Sequence, residues 1–235
     1  MEQLARQAAA FGLRLTEAQL SQFVRYQALL LEWNERINLT AVREPELIQQ
    51  RHFLDSLTCA TVTRDLNDRS FIDVGTGAGF PGLPLKILFP RLKLTLVESV
   101  QKKARFLEEV ATTLGLADVN VVAERAEVLG QRAAYRGQYD WAVARAVAEL
   151  RTLVEYLLPF CRVGGCALAQ KGENAAVEAA AASVAIAELG GATPELHAIL
   201  LPGHRETHYL VVIEKVAETP ARYPRRVGIP AKRPL

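Results

Sequence analysis

A glycine-rich loop, FIDVGTGAGFPGLPL, spans Phe71 to Leu85 and begins in a short apolar run. Gly75, Gly77 and Gly79 form a G-x-G-x-G pattern within it. Glycine suits a loop whose backbone must take positive φ or approach a ligand without a Cβ in the way. After the first strand of an open α/β sheet, such a loop is where nucleotide-type cofactors bind. The pattern does not separate S-adenosylmethionine from a dinucleotide, because Gly77 to Gly82 also read G-x-G-x-x-G.

Two acids flank the loop and bear on that choice. Glu98 ends the second apolar run, where a carboxylate can accept hydrogen bonds from both ribose hydroxyls, and its distance from the loop also fits a dinucleotide fold. Asp73 lies inside the end of the first run, where it could face a cationic sulfonium or ammonium but would repel a diphosphate. Pro81 and Pro84 interrupt the segment that a dinucleotide fold begins as a helix aimed at phosphate. The residues favour S-adenosylmethionine over a dinucleotide or a purely structural turn.

The elements around the loop follow a regular alternation from Ser70 onward. Short apolar runs alternate with amphipathic segments, which predicts βαβ units and a parallel sheet covered on both faces. The last two runs are close enough in sequence to form an antiparallel edge. The seven predicted strands are Phe71–Val74, Leu92–Val97, Val119–Ala123, Tyr139–Ala144, Cys166–Ala169, Leu196–Leu201 and Tyr209–Lys215.

The residues before the first strand are predicted to be helical. Thr16 and Gln19 have the spacing of a capping box, and Pro45 suits the first turn of a helix that continues towards Cys59. A basic stretch without acids runs from Pro220 to Leu235, and it is either a disordered solubilising segment or a clamp on an RNA backbone. We therefore expect a helical extension over 1–66, a sheet domain over 67–217 and a basic tail over 218–235.

Composition narrows the class of protein. The formal net charge of +2 gives no global case for nucleic-acid binding, so local clusters such as Lys102, Lys103 and Arg105 must carry it. Three cysteines without a C-x-x-C pair predict neither a disulfide framework nor a zinc site, and no other metal cluster is apparent. No apolar stretch approaches the ~20 residues that cross a bilayer, and no signal peptide is recognised. We expect a cytoplasmic protein without a metal or a membrane partner.

Several blocks of sequence carry a more specific signal. In chain order they are WNERINLTAVR (33–43), RHFLDSL (51–57), FIDVGTGAGFPGLPL, ARAVAEL (144–150), QKG (170–172) and YLVVIEK (209–215), with the ending TPARYPRRVGIPAKRPL. Together they resemble the RsmG family, also called GidB, whose members methylate guanine N7 in the RNA of the small ribosomal subunit. The resemblance implies a class I methyltransferase fold, which is Rossmann-like with a mostly parallel seven-stranded sheet and helices on both faces, behind an N-terminal helical extension.

The resemblance also implies which residues contact S-adenosylmethionine. The family's contacts match Gly75 and Phe80 in the loop, Ala126 and Glu127 further on, and Arg145. With the residues inferred from the loop and its acids, the expected cofactor site comprises Asp73, Gly75, Thr76, Gly77, Gly79, Phe80, Glu98, Ala126, Glu127 and Arg145. The family commonly has an arginine before the histidine of its last strand, whereas His208 and Tyr209 stand here, with Arg205 three residues earlier.

The acceptor atom explains why no catalytic base is evident. After the fourth strand the chain reads Ala144-Arg145-Ala146 rather than the Asn- or Asp-Pro-Pro-aromatic motif of enzymes that methylate amino groups. No cysteine has the Pro-Cys setting of pyrimidine-carbon methyltransferases. Guanine N7 carries a lone pair and no proton, so proximity, alignment and exclusion of water suffice. Arg145, which can donate to guanine O6 but must leave N7 free, is the leading catalytic candidate.

Some of the other polar residues are predicted to contact the substrate, and others are predicted to have only a structural role. Arg125 and Lys171 are the other two catalytic candidates and are predicted to contact the RNA substrate. His52 and Asp55, one helical turn apart, are expected to brace neighbouring backbone, and the three histidines from 197 to 208 are expected in loops. The alternative functions are a methyltransferase of the same fold with another RNA acceptor, a dinucleotide-dependent oxidoreductase, or a nucleoside-binding regulator.

Overall fold

A computed structural model describes residues 1–204 and 206–235. Its strands are β1 (Ser70–Val74), β2 (Lys93–Val97), β3 (Val119–Val122), β4 (Tyr139–Arg145), β5 (Cys161–Lys171), β6 (Glu195–Leu200) and β7 (Thr207–Glu214). The helices before the sheet are α1 (Glu2–Ala10), α2 (Glu17–Asn34), α3 (Pro45–Ile48), α4 (Asp55–Leu57) and α5 (Ala60–Thr63). The later helices are α6 (Gly82–Leu88), α7 (Gln101–Thr113), α8 (Ala126–Leu129), α9 (Leu150–Leu157), α10 (Ala175–Ala181), α11 (Ser183–Glu188) and α12 (Ile229–Lys232).

The strands form one sheet in the order β3-β2-β1-β4-β5-β7-β6. Strands β1 to β5 are parallel, while β7 runs antiparallel between β5 and β6. This confirms the predicted mostly parallel, seven-stranded sheet with an antiparallel pair at its edge. The strand order reverses between β1 and β4, and this reversal is where an open α/β sheet places its ligand.

The segment before α4 departs from a regular helix. The sequence predicts one helix from Pro45 towards Cys59, but α3 continues as a π-helical stretch over Gln49–Leu54 before α4 begins at Asp55. A π-helical turn accommodates an extra residue per turn and is frequent at functional sites. His52 lies within this stretch and Asp55 directly follows it, so the irregular turns set how both side chains leave the helix.

Successive side chains along each strand point to opposite faces of the sheet, and each face has its own apolar core. Phe71, Val143, Leu168 and Leu210 pack on one face in a core shared with the helices of the first 66 residues. Their strand neighbours pack on the other face in a second core with α9, α10 and α11. The N-terminal helices, together with α6 and α7, thus form one of the two layers that cover the sheet. The boundary predicted at residue 66 stays a prediction.

Helix α2 begins with the predicted capping box. The Thr16 hydroxyl accepts from the Gln19 amide at 3.2 Å, and the Gln19 side chain accepts from the Thr16 amide at 2.8 Å. The Gln19 carboxamide also donates to the carbonyl oxygens of Ile87 and Leu88 at the end of α6. One residue therefore both starts α2 and fixes it against the helix that follows the glycine loop.

The basic C-terminal segment is folded against the sheet domain. Arg225 donates through Nε and Nη2 to both oxygens of Glu155, and the side chain of Glu155 is fully buried on α9. The Gly228 amide donates to Glu127 Oε1 at 2.9 Å, and α12 contacts α9. Of the two alternatives for this segment, the disordered solubilising tail is wrong, because a buried carboxylate holds Arg225 against α9. The clamp on an RNA backbone stays a prediction.

We expect Glu155→Ala to detach this segment. The substitution removes both acceptor oxygens of Arg225, so the segment loses charge-assisted hydrogen bonds that contribute about 2 kcal/mol of unfolding free energy. Urea unfolding measures the loss, and the rate of tryptic cleavage after Arg225 and Arg226 measures the detachment. Arg132→Ala, which removes a half-exposed arginine paired with Glu124, is the control and should cost at most about 1 kcal/mol. Unchanged stability and protease resistance in Glu155→Ala would contradict the anchor.

Candidate active site

A cavity of about 280 Å³ lies beyond the carboxyl ends of β1 and β2 and is called here the glycine-loop cavity. It is lined by Val74, Gly75, Val97, Ser99, Glu124, Arg125, Ala126, Glu127, Val147, Ala148, Tyr156 and Ala231. The lining includes the predicted cofactor residues Gly75, Ala126 and Glu127, together with Arg125. It also includes Ser99, Tyr156 and Ala231, which the motifs do not reveal because they come from three separate segments.

Asp73, at the end of β1, fixes the glycine loop through hydrogen bonds to two of its residues. It is fully buried, and its Oδ2 accepts from the Thr76 hydroxyl at 2.7 Å and from the Gly82 amide at 2.8 Å. Burial raises the pKa of this carboxyl to about 6, against the opposing hydrogen bonds of Thr76 and Gly82. Its Oδ1 is buried without a hydrogen-bond partner among the described residues. A carboxylate already occupies the first amide of α6, which is where a dinucleotide would place its diphosphate.

Glu98 holds the same loop from the side of β2. Its Oε2 accepts from the Gly77 amide at 3.1 Å and its Oε1 from the Val100 amide at 2.7 Å. Each carboxylate oxygen can accept a further hydrogen bond. The ribose contact predicted for Glu98 stays a prediction, and the geometry adds a second task, which is to fix the loop's backbone.

Gly79 and Phe80 face away from the glycine-loop cavity. Gly79 has φ +98°, and a Cβ there would come within 2.4 Å of Leu83 Cδ1 and 2.6 Å of the Tyr26 hydroxyl. The Phe80 ring stacks on Tyr26 at 5.6 Å and on His52 at 4.7 Å between centroids. These contacts pack the loop against the N-terminal helices, and the cofactor contacts predicted for both residues stay predictions.

A second cavity of about 450 Å³, called here the Asp55 cavity, lies beyond the ends of β4, β5 and β7. It is lined by Arg51, His52, Asp55, Thr58, Arg145, Ala146, Gln170, Lys171, Gly172, Glu178, Ile199, His208, Tyr209 and Leu210. The loop after β4 joins the two cavities, because Ala146 lines this one and Val147 lines the other. Ala146 has φ +55°, a strained conformation for alanine that structures retain mainly at functional sites.

Asp55 is the centre of the hydrogen bonds in its cavity. Arg145 Nη1 donates to Oδ2 at 3.0 Å, and His208 Nδ1 lies 3.4 Å from Oδ1. The Gln170 carboxamide donates to the Asp55 carbonyl at 3.0 Å. Burial alone would raise the pKa of Asp55, but the hydrogen bond from His208 and the charge of Arg145 outweigh it and hold the pKa below its ordinary value. Asp55 therefore carries a buried negative charge at neutral pH.

Arg145 and His52 share the face of Phe80. The Arg145 guanidinium lies 4.9 Å from the Phe80 ring centroid, and its Nη2 is 3.3 Å from His52 Nδ1. Burial and the neighbouring Arg145 charge lower the pKa of His52 to about 4. At neutral pH the His52 ring is therefore uncharged. Its Nδ1 lies 3.1 Å from the Arg51 carbonyl and 3.3 Å from Arg145 Nη2, so the tautomer of His52 decides which of the two it bonds.

The three predicted catalytic residues separate between the two cavities. Arg145 and Lys171 line the Asp55 cavity, where Lys171 Nζ lies 2.6 Å from Glu178 Oε2 and donates to the Ala148 carbonyl at 2.7 Å. Arg125 lines the glycine-loop cavity instead. Their roles towards a substrate stay predictions. Of the basic patch on α7, Lys102 and Arg105 are exposed and Lys103 is half-buried, and its contact with RNA also stays a prediction.

Sequence reasoning missed the role of three polar residues in the Asp55 cavity. The sequence predicts that His52 and Asp55 brace neighbouring backbone, and it marks Gln170 only as part of the QKG block. The prediction of loops for His197 and His208 is wrong, because they lie in β6 and β7. Side chains two residues apart on a strand point to the same face of the sheet. This alternation could have placed Gln170 on the face of the core residue Leu168, and His208 on the face of the core residue Leu210. Arg205 lies outside the described residues.

Two exclusions apply to the part of the chain that the structure describes. Within residues 1–204 and 206–235, no helix is both long and apolar enough to cross a bilayer. Among the same residues, no group of three or more His, Cys, Asp or Glu side chains could hold a metal ion.

Comparison with known proteins identifies relatives over the full chain. The sequence model of the GidB family, described as rRNA small subunit methyltransferase G, matches residues 19–205. The protein named ribosomal RNA small subunit methyltransferase G from Roseiflexus castenholzii is 55% identical over 235 residues, which cover 100% of both chains. The protein of the same name from Alkaliphilus metalliredigens is 50% identical, covering 95% of this chain and 94% of the relative.

Solved structures with low sequence identity share the fold. A 16S rRNA (adenine(1408)-N(1))-methyltransferase from Catenulisporales acidiphilia superposes with a TM-score of 0.53 at 16% identity, covering 65% of this chain and 90% of that one. A precorrin-6y C5,15-methyltransferase from Geobacter metallireducens gives a TM-score of 0.52 at 10% identity, covering 75% and 91%. The two act on different acceptors, so the fold alone does not choose the acceptor.

The charges around Asp55 predict two distinct histidine titrations. The hydrogen bond that His208 donates to Asp55 raises the pKa of His208 above 6.5, whereas His52 should stay neutral down to about pH 4. The His208–Asp55 pair thus contributes fully to stability below about pH 6.5 and loses that contribution as the pH rises through the raised pKa. NMR titration of the ring protons measures both values. Asp55→Asn should lower the pKa of His208, and Asp68→Asn, at an exposed acid, should not. An unshifted His208 in Asp55→Asn would contradict the pairing.

Proposed function

Because the chain belongs to the rRNA small subunit methyltransferase G family, we propose that it transfers a methyl group from S-adenosylmethionine to N7 of a guanine in small-subunit ribosomal RNA. The observation that carries the proposal is the pair of cavities on either side of the loop after β4, one behind the glycine loop and the other around Asp55. A donor and an acceptor can then meet at that loop.

The glycine-loop cavity fits S-adenosylmethionine, which supplies a methyl group on a positively charged sulfur. Gly75, Ala126 and Glu127 would form its walls, with Tyr156 on α9 opposite. Asp73 is fully buried and does not line this cavity, so its carboxyl would act on a cationic group only from behind the loop that it fixes. The same carboxylate disfavours a dinucleotide, since its Oδ2 takes the α6 amide that a diphosphate would need.

The Asp55 cavity suits an acceptor that needs no base. Guanine N7 attacks with its lone pair while the bond from sulfur to the methyl carbon breaks, so no proton leaves the acceptor. Asp55 is ionised and committed to Arg145 and His208, and its charge would stabilise the cationic ring of the product. The chain's task is to align the base and to exclude water.

Arg145 can assist without blocking N7. Its Nη1 donates to Asp55 Oδ2 and to the Arg51 carbonyl, and Nη2 lies against His52. Both terminal nitrogens of the Arg145 guanidinium already contact protein groups. Arg145 therefore cannot donate to guanine O6 and N7 at the same time, as arginine does when it recognises guanine in DNA. Arg145 therefore orients the site by its charge and leaves N7 accessible.

The partner of this chain is small-subunit ribosomal RNA or the ribosomal subunit, in the cytoplasm. Lys102 and Arg105 on α7 are exposed and could bind the RNA backbone. A methyltransferase of the same fold with another RNA acceptor is the alternative.

Ribosomal RNA from cells with and without the gene tests the proposal. Borohydride–aniline treatment cleaves RNA at N7-methylguanosine, so one small-subunit cleavage should be lost when the gene is deleted and restored by the purified enzyme with S-adenosylmethionine. Identical cleavage patterns in the two strains would contradict the proposal, and loss of a methyl group at another atom would support the alternative acceptor.

Arg145→Ala should reduce methyl transfer by about 100-fold, because the charge that orients the site is removed. It also leaves Asp55 buried without its main cation, which costs about 3 kcal/mol of unfolding free energy. Turnover is measured at a temperature where the variant is folded, together with binding of S-adenosylhomocysteine. Arg162→Ala, which removes a half-exposed arginine paired with Asp140, is the control and should retain activity. Near-normal methylation by folded Arg145→Ala would refute the role.

A further inference from the structure

The C-terminal segment, residues 220–235, supplies part of the glycine-loop cavity. Ala231 in α12 lines this cavity, and among the described residues it is the one member of the lining that lies beyond the last strand. Gly75 after β1, Ala126 in α8 and Tyr156 in α9 line the same cavity. Ala231 and Gly75 are exposed, and the other two are half-buried. All four therefore keep surface that a molecule in the cavity can contact.

Helix α9 holds this segment through three side chains. Thr152 Oγ1 donates to the Pro230 carbonyl at 3.2 Å. One turn further along α9, the fully buried Glu155 pairs with Arg225. Arg151 Nε donates to the carbonyl of the last residue at 2.6 Å. None of these three α9 side chains lines the glycine-loop cavity, so their effect on the cavity passes through the segment that they hold.

Glu127 connects the segment to the cavity wall. This residue of α8 lines the cavity and is 6% exposed, and its Oε1 accepts from the Gly228 amide at 2.9 Å. Gly228 directly precedes α12 and has φ +78°, a conformation that glycine adopts without strain. The hydrogen bond therefore fixes the start of α12 and the Glu127 side chain relative to each other. If the segment detached, the cavity would lose Ala231 and Glu127 would lose this donor.

Two neighbouring residues of α12 have different surroundings. Pro230 is buried, whereas Ala231 is exposed and lines the cavity. Alanine has a small apolar side chain, which can contact a ligand without filling the space that the ligand needs. The helix thus packs against the protein through one residue and presents the next to the cavity.

Resting on the proposed function, we infer that α12 belongs to the S-adenosylmethionine site: Ala231 packs against the bound cofactor, and docking of the segment and binding of the cofactor strengthen each other. Burial of about 60 Å² of apolar ligand surface against α12 corresponds to about tenfold in affinity. Because coupling between two equilibria is reciprocal, the cofactor favours the docked segment by the same factor. The last residues of the chain are therefore part of the cofactor site and more than a cover for α9.

Binding of S-adenosylhomocysteine, measured by isothermal titration calorimetry, tests the contact. Ala231→Trp should raise Kd about tenfold or more, because the indole takes space that the ligand needs. Ala221→Trp is the matched control, since Ala221 is exposed in the same segment and does not line the cavity. It should keep the wild-type Kd.

Glu155→Ala tests the coupling from outside the cavity. By releasing Arg225 it should raise the Kd of S-adenosylhomocysteine about tenfold, although Glu155 does not line the cavity. Thr152→Val keeps the shape of the side chain and loses the hydrogen bond to Pro230, so it should raise Kd by a smaller factor and is the second variant if Glu155→Ala does not fold. Arg162→Ala is the control and should leave Kd unchanged.

Tryptic cleavage measures the reverse effect. In the wild-type protein, saturating S-adenosylhomocysteine should slow cleavage after Arg225 and Arg226, by a factor that matches the rise in Kd when the segment detaches. Neither arginine lines the cavity, so the ligand does not shield them directly. Cleavage after Arg36, which is exposed just after α2, reports opening elsewhere in the protein and should slow by less.

The outcomes separate the inference from the function on which it rests. If the wild-type protein does not bind S-adenosylhomocysteine, the proposed function is wrong. If it binds, but folded Ala231→Trp, Glu155→Ala and Thr152→Val all keep the wild-type Kd, the inference is refuted and the segment only covers α9. Cleavage after Arg225 and Arg226 that the ligand leaves unchanged would refute it as well.

Discussion

The buried carboxylate of Asp55 connects the N-terminal helical layer to the ends of three strands. It lies at the start of α4 and meets Arg145 of β4, Gln170 of β5 and His208 of β7, which are 90, 115 and 153 residues away in the chain. A buried charge is tolerated only where such partners surround it, and removing one of them costs several kcal/mol. The position of the helical layer over the sheet and the shape of the Asp55 cavity therefore depend on the same set of contacts.

The glycine loop depends on a comparable arrangement. Asp73 and Glu98, the acids that frame the motif, both accept hydrogen bonds from the loop's own backbone or side chains. These contacts fix the loop before any ligand arrives, so that little conformational freedom is lost on binding. Phe80 then links the loop to His52 and Arg145 through its ring. The two cavities are in this way joined by packing as well as by the loop after β4.

The features set by local sequence were predictable. Short apolar runs located all seven strands, and the Thr16 capping box located the start of α2. The polar contacts of the site were not, because Asp55 looked like a residue that braces its own helix, and its partners depend on the register of distant strands. The apolar run that predicts the last strand begins at Tyr209, whereas β7 starts at Thr207 and so includes His208. The C-terminal arginines looked solvated because Glu155, the partner of Arg225, lies 70 residues earlier.

Ala231 in α12 forms part of the glycine-loop cavity, although every block that marks the family on the sheet lies before residue 216. During synthesis, the segments that supply Gly75, Ala126 and Tyr156 are made well before the one that supplies Ala231. The cavity cannot have its complete wall until that last segment has been translated and has docked on α9. A premature stop codon after the last strand would thus spare every motif on the sheet, remove the C-terminal block that contains Ala231, and leave the cavity open on one side.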